Sequence, residues 1–247
     1  MASRLEADLH CRQREYRFHG KMTLRVSLGI CMAIFTWLVA SCEKVDQRAD
    51  LVFLNGAEPE TLDPAIITGQ PEGRIVNALF EGLCAYDENG QPSPGVAESW
   101  EISPDGKTYT FHIRTNAKWS DGFPLKAQDF VKSWHHTLKP ETGSQYNYQL
   151  YPIKNAQAFA EGKLADFSEV GVHAVDDRTL RVDLENPTSY FLQLCAFPTL
   201  HPLPVDLIKR VGDDWVKPAN IISNGAYTLE TWRINDKIRL RKNAHYW

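Results

Sequence analysis

Hydrophobic positions along the chain follow two periods that together predict a mixture of helices and strands. A spacing of three to four residues runs through residues 75–83 and again through residues 127–138. A strict alternation marks residues 109–113, which follow the turn-forming residues 104–106. These patterns predict two amphipathic helices with a β-hairpin between them.

The rest of the chain continues this mixture. Residues 172–184 and 226–241 each contain two alternating runs separated by a polar turn, which predicts two further hairpins. Residues 153–160 and 205–211 predict short helices. Because hairpins outnumber strand-helix-strand units, the sequence favours a mixed α and β class with partly antiparallel sheets over a pure βαβ series.

Two short segments carry specific structural expectations. The apolar run Leu51–Leu54 ends at Asn55-Gly56 and predicts a buried strand. Asn224-Gly225 predicts a tight turn that needs a positive φ, because glycine adopts that conformation without steric cost.

The strongest positional signal lies near the start of the chain. A basic flank precedes the apolar run of residues 26–40. A membrane-spanning helix needs roughly 20 apolar residues, whereas an export signal needs only about 7 to 15. Residues 1–41 are therefore predicted to be a cleaved signal peptide, with Met22 as an alternative start.

Val39-Ala40-Ser41-Cys42 resembles the bacterial lipoprotein box. In that motif the cysteine receives a lipid and becomes the first mature residue. The resemblance implies lipid attachment at Cys42, with residues 42–49 as a polar tether. It also implies a membrane-anchored protein in the periplasm or on the cell surface.

Composition and charge narrow the function classes. The chain has 247 residues, of which 43% are hydrophobic and 23% are charged, as in a folded protein of one or two domains. Its net charge of -4 provides no cationic field for nucleic acid. No motif calls for a cofactor.

Two cysteines, Cys84 and Cys195, follow the predicted lipid site. Neither lies in a metal-binding spacing such as C-x-x-C. A disulfide between them and burial as two small apolar side chains both remain open, and burial is favoured because each accompanies an apolar run.

A metal-dependent hydrolase is a weaker alternative. His135 and His136 are adjacent, and Asp129 precedes them by one to two helical turns. Successive helix residues point about 100° apart, and no H-E-x-x-H pair is present, so a polar helix face is favoured. The sequence also lacks the G-x-S-x-G elbow and the phosphate-binding glycine loop.

A series of motifs resembles the family-5 extracytoplasmic solute-binding proteins of peptide ABC importers, and the oligopeptide-binding members most closely. The motifs keep the order and approximate spacing of the family from residue 50 to the end of the chain. They are Glu60-Thr61-Leu62-Asp63-Pro64, Leu79-Phe80-Glu81-Gly82-Leu83, Pro92 to Glu101, Ala117 to Gly122, Asp129 to Trp134, Ala174 to Leu180, Pro218 to Ile222 and Asn224 to Tyr227.

The resemblance implies a periplasmic-binding-protein type II-like fold, in which two lobes close over an extended peptide. By this comparison residues 50–70 and 190–247 belong to the first lobe, and residues 71–189 form its accessory subdomain. The second lobe is expected to be absent, because the chain has about half of the family's usual length. A fragment and a truncated gene product both explain this length.

The resemblance also implies which residues meet the ligand. Tyr146 occupies the position of a ligand-facing tyrosine, and Thr68-Gly69-Gln70 matches a segment that touches the peptide main chain. The family has an acidic residue where Thr68 stands, so a charge contact is not expected there.

The expected partners follow from the family. They are an oligopeptide, an ABC permease and the membrane, and the protein is expected to be a monomer. Two alternatives to peptide capture remain open, namely binding of another solute such as a nickel complex or a sugar, and a remnant that binds nothing.

Overall fold

The computed structural model describes residues 49–247. The predicted signal peptide and the predicted lipid attachment at Cys42 lie outside the described residues. Within the described part, none of the helices has the length and apolar character that crossing a membrane requires.

Helices and strands are interspersed along the chain. The α-helices are α1 (Gln70–Leu79), α2 (Ala127–Leu138), α3 (Ala156–Ala160), α4 (Phe191–Cys195) and α5 (Val205–Val211). The strands are β1 (Cys84–Tyr86), β2 (Pro92–Pro94), β3 (Ala97–Ile102), β4 (Thr108–Ile113), β5 (Val172–Ala174), β6 (Thr179–Asp183), β7 (Tyr227–Arg233) and β8 (Lys237–Lys242). Short 3₁₀ turns cover Pro140–Thr142, Asn147–Leu150, Phe167–Glu169, Pro198–Leu200 and Gly212–Val216.

The largest sheet is antiparallel and has four strands in the order β3-β4-β6-β5. Two antiparallel pairs, β1-β2 and β7-β8, stand beside it as separate sheets. All three hairpins that the alternation predicts, within residues 99–113, 172–184 and 226–241, are therefore confirmed.

The core lies between the four-stranded sheet and α2. Phe111 is fully buried on the inner face of β4, and α2 packs on β5 and β6 with Phe130 and Trp134 fully buried. The indole Nε1 of Trp134 donates to the Leu200 carbonyl at 3.0 Å, so the large ring is buried without an unpaired donor. Each such side chain contributes about 2 to 3 kcal/mol through burial.

The predicted helix at residues 153–160 is shorter than expected. Only Ala156–Ala160 is helical, because Asn155 has a φ of 62° in the left-handed region and interrupts the run. Ile153 instead pairs with Leu184 in an isolated β-bridge. The helices predicted at residues 75–83, 127–138 and 205–211 are confirmed, although the first ends at Leu79.

The prediction of a buried strand at Leu51–Leu54 is wrong. These residues form no strand, and their side chains are between 60% and 94% exposed. Residues up to Leu54 belong to a different unit from Asn55–Trp247. An apolar run becomes a strand only when a neighbour supplies backbone hydrogen bonds, and within residues 49–247 no strand pairs with this run.

Gly225 is needed for space and not for a positive φ, so the predicted positive-φ turn is also wrong. A Cβ at Gly225 would lie 2.6 Å from the Leu79 carbonyl carbon and 2.7 Å from the Phe80 nitrogen. The Gly225 N–H donates to the Leu79 carbonyl at 2.7 Å, and the Asn224 side chain bonds both backbone groups of Glu81. This contact joins the end of α1 to the β7-β8 hairpin.

We expect Gly225→Ala to lower the free energy of unfolding by about 2 kcal/mol, because the atoms that the methyl group meets are rigid backbone. Gly73→Ala is the matched control, since a Cβ at Gly73 meets no atom within 4 Å and the position is helical. That control should gain up to about 1 kcal/mol. Chemical denaturation measures both, and equal stabilities for the two variants would contradict the close-approach argument.

Candidate ligand-binding site

A turn that begins at Asp63 carries the candidate ligand loop Thr68-Gly69-Gln70. The Asp63 carbonyl accepts the N–H groups of Ile66 and Ile67, each at 3.1 Å, and its carboxylate accepts the Ala65 N–H at 2.8 Å. Through these bonds a single residue fixes the conformation of the chain that leads into the exposed Thr68.

Tyr146 lies against this loop. Its hydroxyl donates to the Thr68 carbonyl at 3.4 Å, and its ring meets Phe197 edge-on with the ring centres 5.9 Å apart. The nearby Ser144 hydroxyl donates to the Ala65 carbonyl at 2.5 Å. The structure therefore brings Tyr146 and residues 68–70 together, and their contact with a ligand stays a prediction.

Gly69 lies directly against a buried carboxylate. A Cβ at Gly69 would lie 2.1 Å from Oε2 of Glu72, although the φ of -101° suits any residue. Oε1 of Glu72 accepts the Glu60 N–H at 3.1 Å. Oε2 is buried and has no hydrogen-bond partner within the described part of the chain.

The loop presents backbone donors that the protein itself does not use. Gly69 is extended, with φ -101° and ψ 159°, and the next residue begins α1. Among the hydrogen bonds of residues 49–247, none takes its donor from the N–H of Thr68 or Gly69. An extended segment with free donors can pair with another extended main chain.

The Asp63 carboxylate is buried at the base of the loop. Its second oxygen accepts the indole N–H of Trp215 at 3.2 Å. Burial raises the pKa of Asp63 to about 6, against the lowering effect of the hydrogen bonds from Ala65 and Trp215. The residue is therefore ionised at neutral pH at a cost to stability.

The sequence of this chain matches the model of a known protein family. The model for bacterial extracellular solute-binding proteins, family 5 (middle region), matches residues 91–247, which is more than half of the chain. The chain belongs to the family-5 solute-binding proteins.

Family-5 relatives share the sequence and the fold. The periplasmic oligopeptide-binding protein OppA of Escherichia coli is 43% identical over 90% of this chain, and the chain spans 42% of that protein's length. The probable deoxycholate-binding periplasmic protein YgiS of Escherichia coli is 46% identical. That match covers 78% of this chain and 36% of the length of YgiS.

A solved family-5 structure, Haemophilus influenzae OppA in complex with RPPGFSPFR, matches with a TM-score of 0.77 at 42% identity. The match covers 83% of this chain and 40% of that one. The two-lobed binding-protein class that the motifs implied is therefore confirmed as the fold of the relatives, of which this chain spans less than half.

The residues behind the hydrolase alternative have other contacts. The His135 ring stacks on Phe167 with the centres 4.3 Å apart, and Asp129 accepts the Lys126 N–H at 2.9 Å and the Trp119 indole at 3.3 Å. Within residues 49–247, no group of three His, Cys, Asp or Glu side chains is arranged to hold a metal ion. The family-5 relatives named above are solute-binding proteins and not enzymes.

The loop residues 68–70 and Tyr146 do not line the cavity that the structure contains within residues 49–247. It has a volume of about 330 Å³ and is lined in part by Tyr151, Asn155, Glu161, Lys163 and Glu185. Its charges are already partnered, since Lys163 pairs with Glu161 at 2.5 Å and Glu185 accepts the Asn155 N–H at 2.8 Å. The candidate site therefore remains the loop that Tyr146 contacts.

Sequence reasoning missed three residues that shape the loop. An acidic residue three positions after an N-cap usually accepts from that cap, but Glu72 accepts the Glu60 N–H instead, so this local signal predicts the wrong partner. Asp63 lies in a matched motif, but nothing local shows that Trp215 will cover it. The bond from Ser144 to Ala65 spans 79 positions, and no periodicity encodes such a contact.

We expect Asp63→Asn to remove a pH dependence of stability. An acid with a raised folded pKa stabilises the fold when it is protonated, and this contribution is lost as the pH rises through about 6. Relative to the variant, the wild type should therefore lose about 2 kcal/mol between about pH 4.5 and about pH 7.5. Urea unfolding of both proteins across this range measures the difference.

The comparison must be made between variants because His201 titrates in the opposite sense. Burial lowers the pKa of His201 to about 4, so its contribution to stability is lost as the pH falls from 6.5 towards 4. The difference between wild type and Asp63→Asn cancels this effect. Parallel curves for the two proteins would contradict the assignment to Asp63.

Proposed function

We propose that this chain is the amino-terminal part of an extracytoplasmic binding protein that captures oligopeptides and delivers them to an ABC permease. The observation that carries the proposal is the fold shared with Haemophilus influenzae OppA, whose structure contains a nine-residue peptide, at 42% identity. The ligand is held and released without covalent change.

The loop at residues 68–70 supports this function physically. Its extended backbone offers N–H groups to a peptide main chain, and these groups are common to every peptide sequence. The Tyr146 ring lies beside the loop and offers an apolar face with a polar tip. Recognition of the main chain combined with tolerant side-chain contacts accounts for a broad range of peptides.

The arrangement in the cell follows from the same relatives. We infer a monomer held to the membrane by lipid at Cys42, after removal of residues 1–41, and located in the periplasm or on the cell surface. Residues 50–70 and 190–247 form part of the first lobe, and residues 71–189 form its accessory subdomain. The relatives' greater length supports closure over the ligand by a second lobe.

A steroid acid is the second candidate ligand. The relative named as a probable deoxycholate-binding protein is 46% identical to this chain, slightly more than the Escherichia coli oligopeptide-binding protein. Extended backbone donors suit a peptide better, because a rigid sterol ring system offers no row of main-chain acceptors.

Isothermal titration distinguishes these candidates. The protein expressed from the whole open reading frame is titrated with a pool of peptides of two to nine residues, and separately with deoxycholate. We expect heat from the peptide pool and none from deoxycholate. Heat from deoxycholate alone would replace the peptide proposal with the second candidate, and silence with both would overturn peptide capture.

Gly69→Ala tests the loop itself. The added methyl group would displace the Glu72 carboxylate and would stand next to the Gly69 N–H, where it crowds an approaching peptide main chain. Loss of about one main-chain hydrogen bond should weaken peptide affinity roughly tenfold. Gly73→Ala, one turn further into α1, adds the same methyl group in open space and should bind like wild type.

Thermal unfolding of both variants shows that they are folded before titration. Wild-type affinity in a folded Gly69→Ala protein would remove residues 68–70 from the binding site. Equal weakening in both variants would show that the effect belongs to α1 as a whole and not to the loop.

A further inference from the structure

The two described cysteines meet inside the fold. Cys84 begins β1 and Cys195 ends α4, and α4 packs directly on β1. Both side chains are fully buried, and Cys84 lies near enough to Cys195 to raise the pKa of its thiol. The positions are 111 residues apart in the chain (195 minus 84), so only the tertiary fold places them together.

Neighbouring contacts hold the two backbones at close range. The Tyr86 hydroxyl donates to the Gln193 carbonyl at 3.0 Å. Gly82 lies so near to α4 that a Cβ there would be 2.2 Å from the Cys195 carbonyl oxygen. A disulfide requires Cα atoms within about 7 Å of each other, and a tight β1-α4 contact of this kind brings the cysteines together.

Neither cysteine is suited to another role. Within residues 49–247 no group of three or more His, Cys, Asp or Glu side chains is arranged to hold a metal ion. Both lie away from the Thr68 loop in the primary structure, and neither side chain reaches solvent.

We propose that Cys84 and Cys195 are joined by a disulfide when the protein folds outside the cytoplasm. The proposal rests on the extracytoplasmic location in the proposed function, because disulfides persist in oxidising compartments and are rare in the cytosol. The oxidant is a protein that carries an exchangeable disulfide.

The Cys84–Cys195 bond would form by thiol-disulfide exchange. One cysteine thiolate attacks the disulfide of the oxidant and forms a mixed disulfide, releasing one oxidant thiolate. The second cysteine thiolate then attacks its partner's sulfur, forms the Cys84–Cys195 bond and releases the second oxidant thiolate. The protein loses two electrons and two protons, and the oxidant leaves as a dithiol.

The timing of the reaction follows from burial. Desolvation, together with the neighbouring Cys84, raises the pKa of the Cys195 thiol well above its usual value, so the folded protein disfavours the reactive thiolate. Oxidation therefore occurs while β1 and α4 are still assembling. Once the core closes, the same burial shields the bond from reductants.

The cross-link would close a loop that contains the whole four-stranded sheet and α2. Such long loops restrict the unfolded chain strongly, which raises the midpoint of thermal unfolding by on the order of 10 °C. The oxidised protein should therefore melt above the same protein refolded in reductant, and the double variant Cys84→Ala/Cys195→Ala should melt at the same temperature with and without reductant.

Peptide mapping tests the bond directly. The protein is exported with its own leader, quenched in acid, alkylated in denaturant and digested without reduction. We expect one species that links the Cys84 and Cys195 peptides and separates on reduction. Recovery of both peptides in alkylated form would overturn the proposal, because alkylation in denaturant reaches buried thiols.

Two controls separate this result from the proposed function. The same chain without residues 1–41, produced in a reducing cytoplasm, should yield both alkylated peptides, and a linked species there would overturn the dependence on export. Titration of the exported protein with peptides then measures binding independently of the state of the two thiols. Peptide binding with both thiols free refutes the disulfide alone, whereas a linked protein that binds no peptide refutes the proposed function alone.

Discussion

The structure depends on the close approach of two backbones at the end of α1. The Gly225 N–H donates to the Leu79 carbonyl. The Asn224 side chain accepts the Glu81 N–H and donates to the Glu81 carbonyl. Glu81 and Asn224 are 143 positions apart, yet these bonds satisfy the backbone as a helix cap would. Because α1 begins at the candidate loop, the contact that fixes its far end also fixes the platform on which the loop stands.

Local pattern was sufficient for most of the secondary structure. Alternation identified β4 and the hairpins of β5-β6 and β7-β8, because each pairs with a neighbour in the chain. The same reasoning failed at Leu51–Leu54, where burial depends on a partner that no local signal supplies. It also misjudged Gly225, whose missing side chain serves a distant helix end and not the turn in which it lies.

In the candidate site too, some residues were identified from the sequence and others only from the structure. The resemblance to a known family identified Tyr146 and residues 68–70, which the structure places side by side. Physical reasoning from the sequence alone would not have paired them, since the bond spans 78 positions. The supporting residues Asp63, Glu72 and Ser144 became visible only from burial and hydrogen bonds, because their sequence contexts are those of ordinary loops and helix starts.

Two buried ionisable groups, Asp63 and His201, have opposite effects on the free energy of unfolding as the pH changes. The pKa of Asp63 is raised from 3.8 to about 6, and that of His201 is lowered from 6.5 to about 4. Between these values unfolding releases a proton from Asp63 and binds one at His201, so the two effects nearly cancel. Between about pH 4 and about pH 6 the two groups together therefore add little net pH dependence to the free energy of unfolding, although each of them alone would add a marked one.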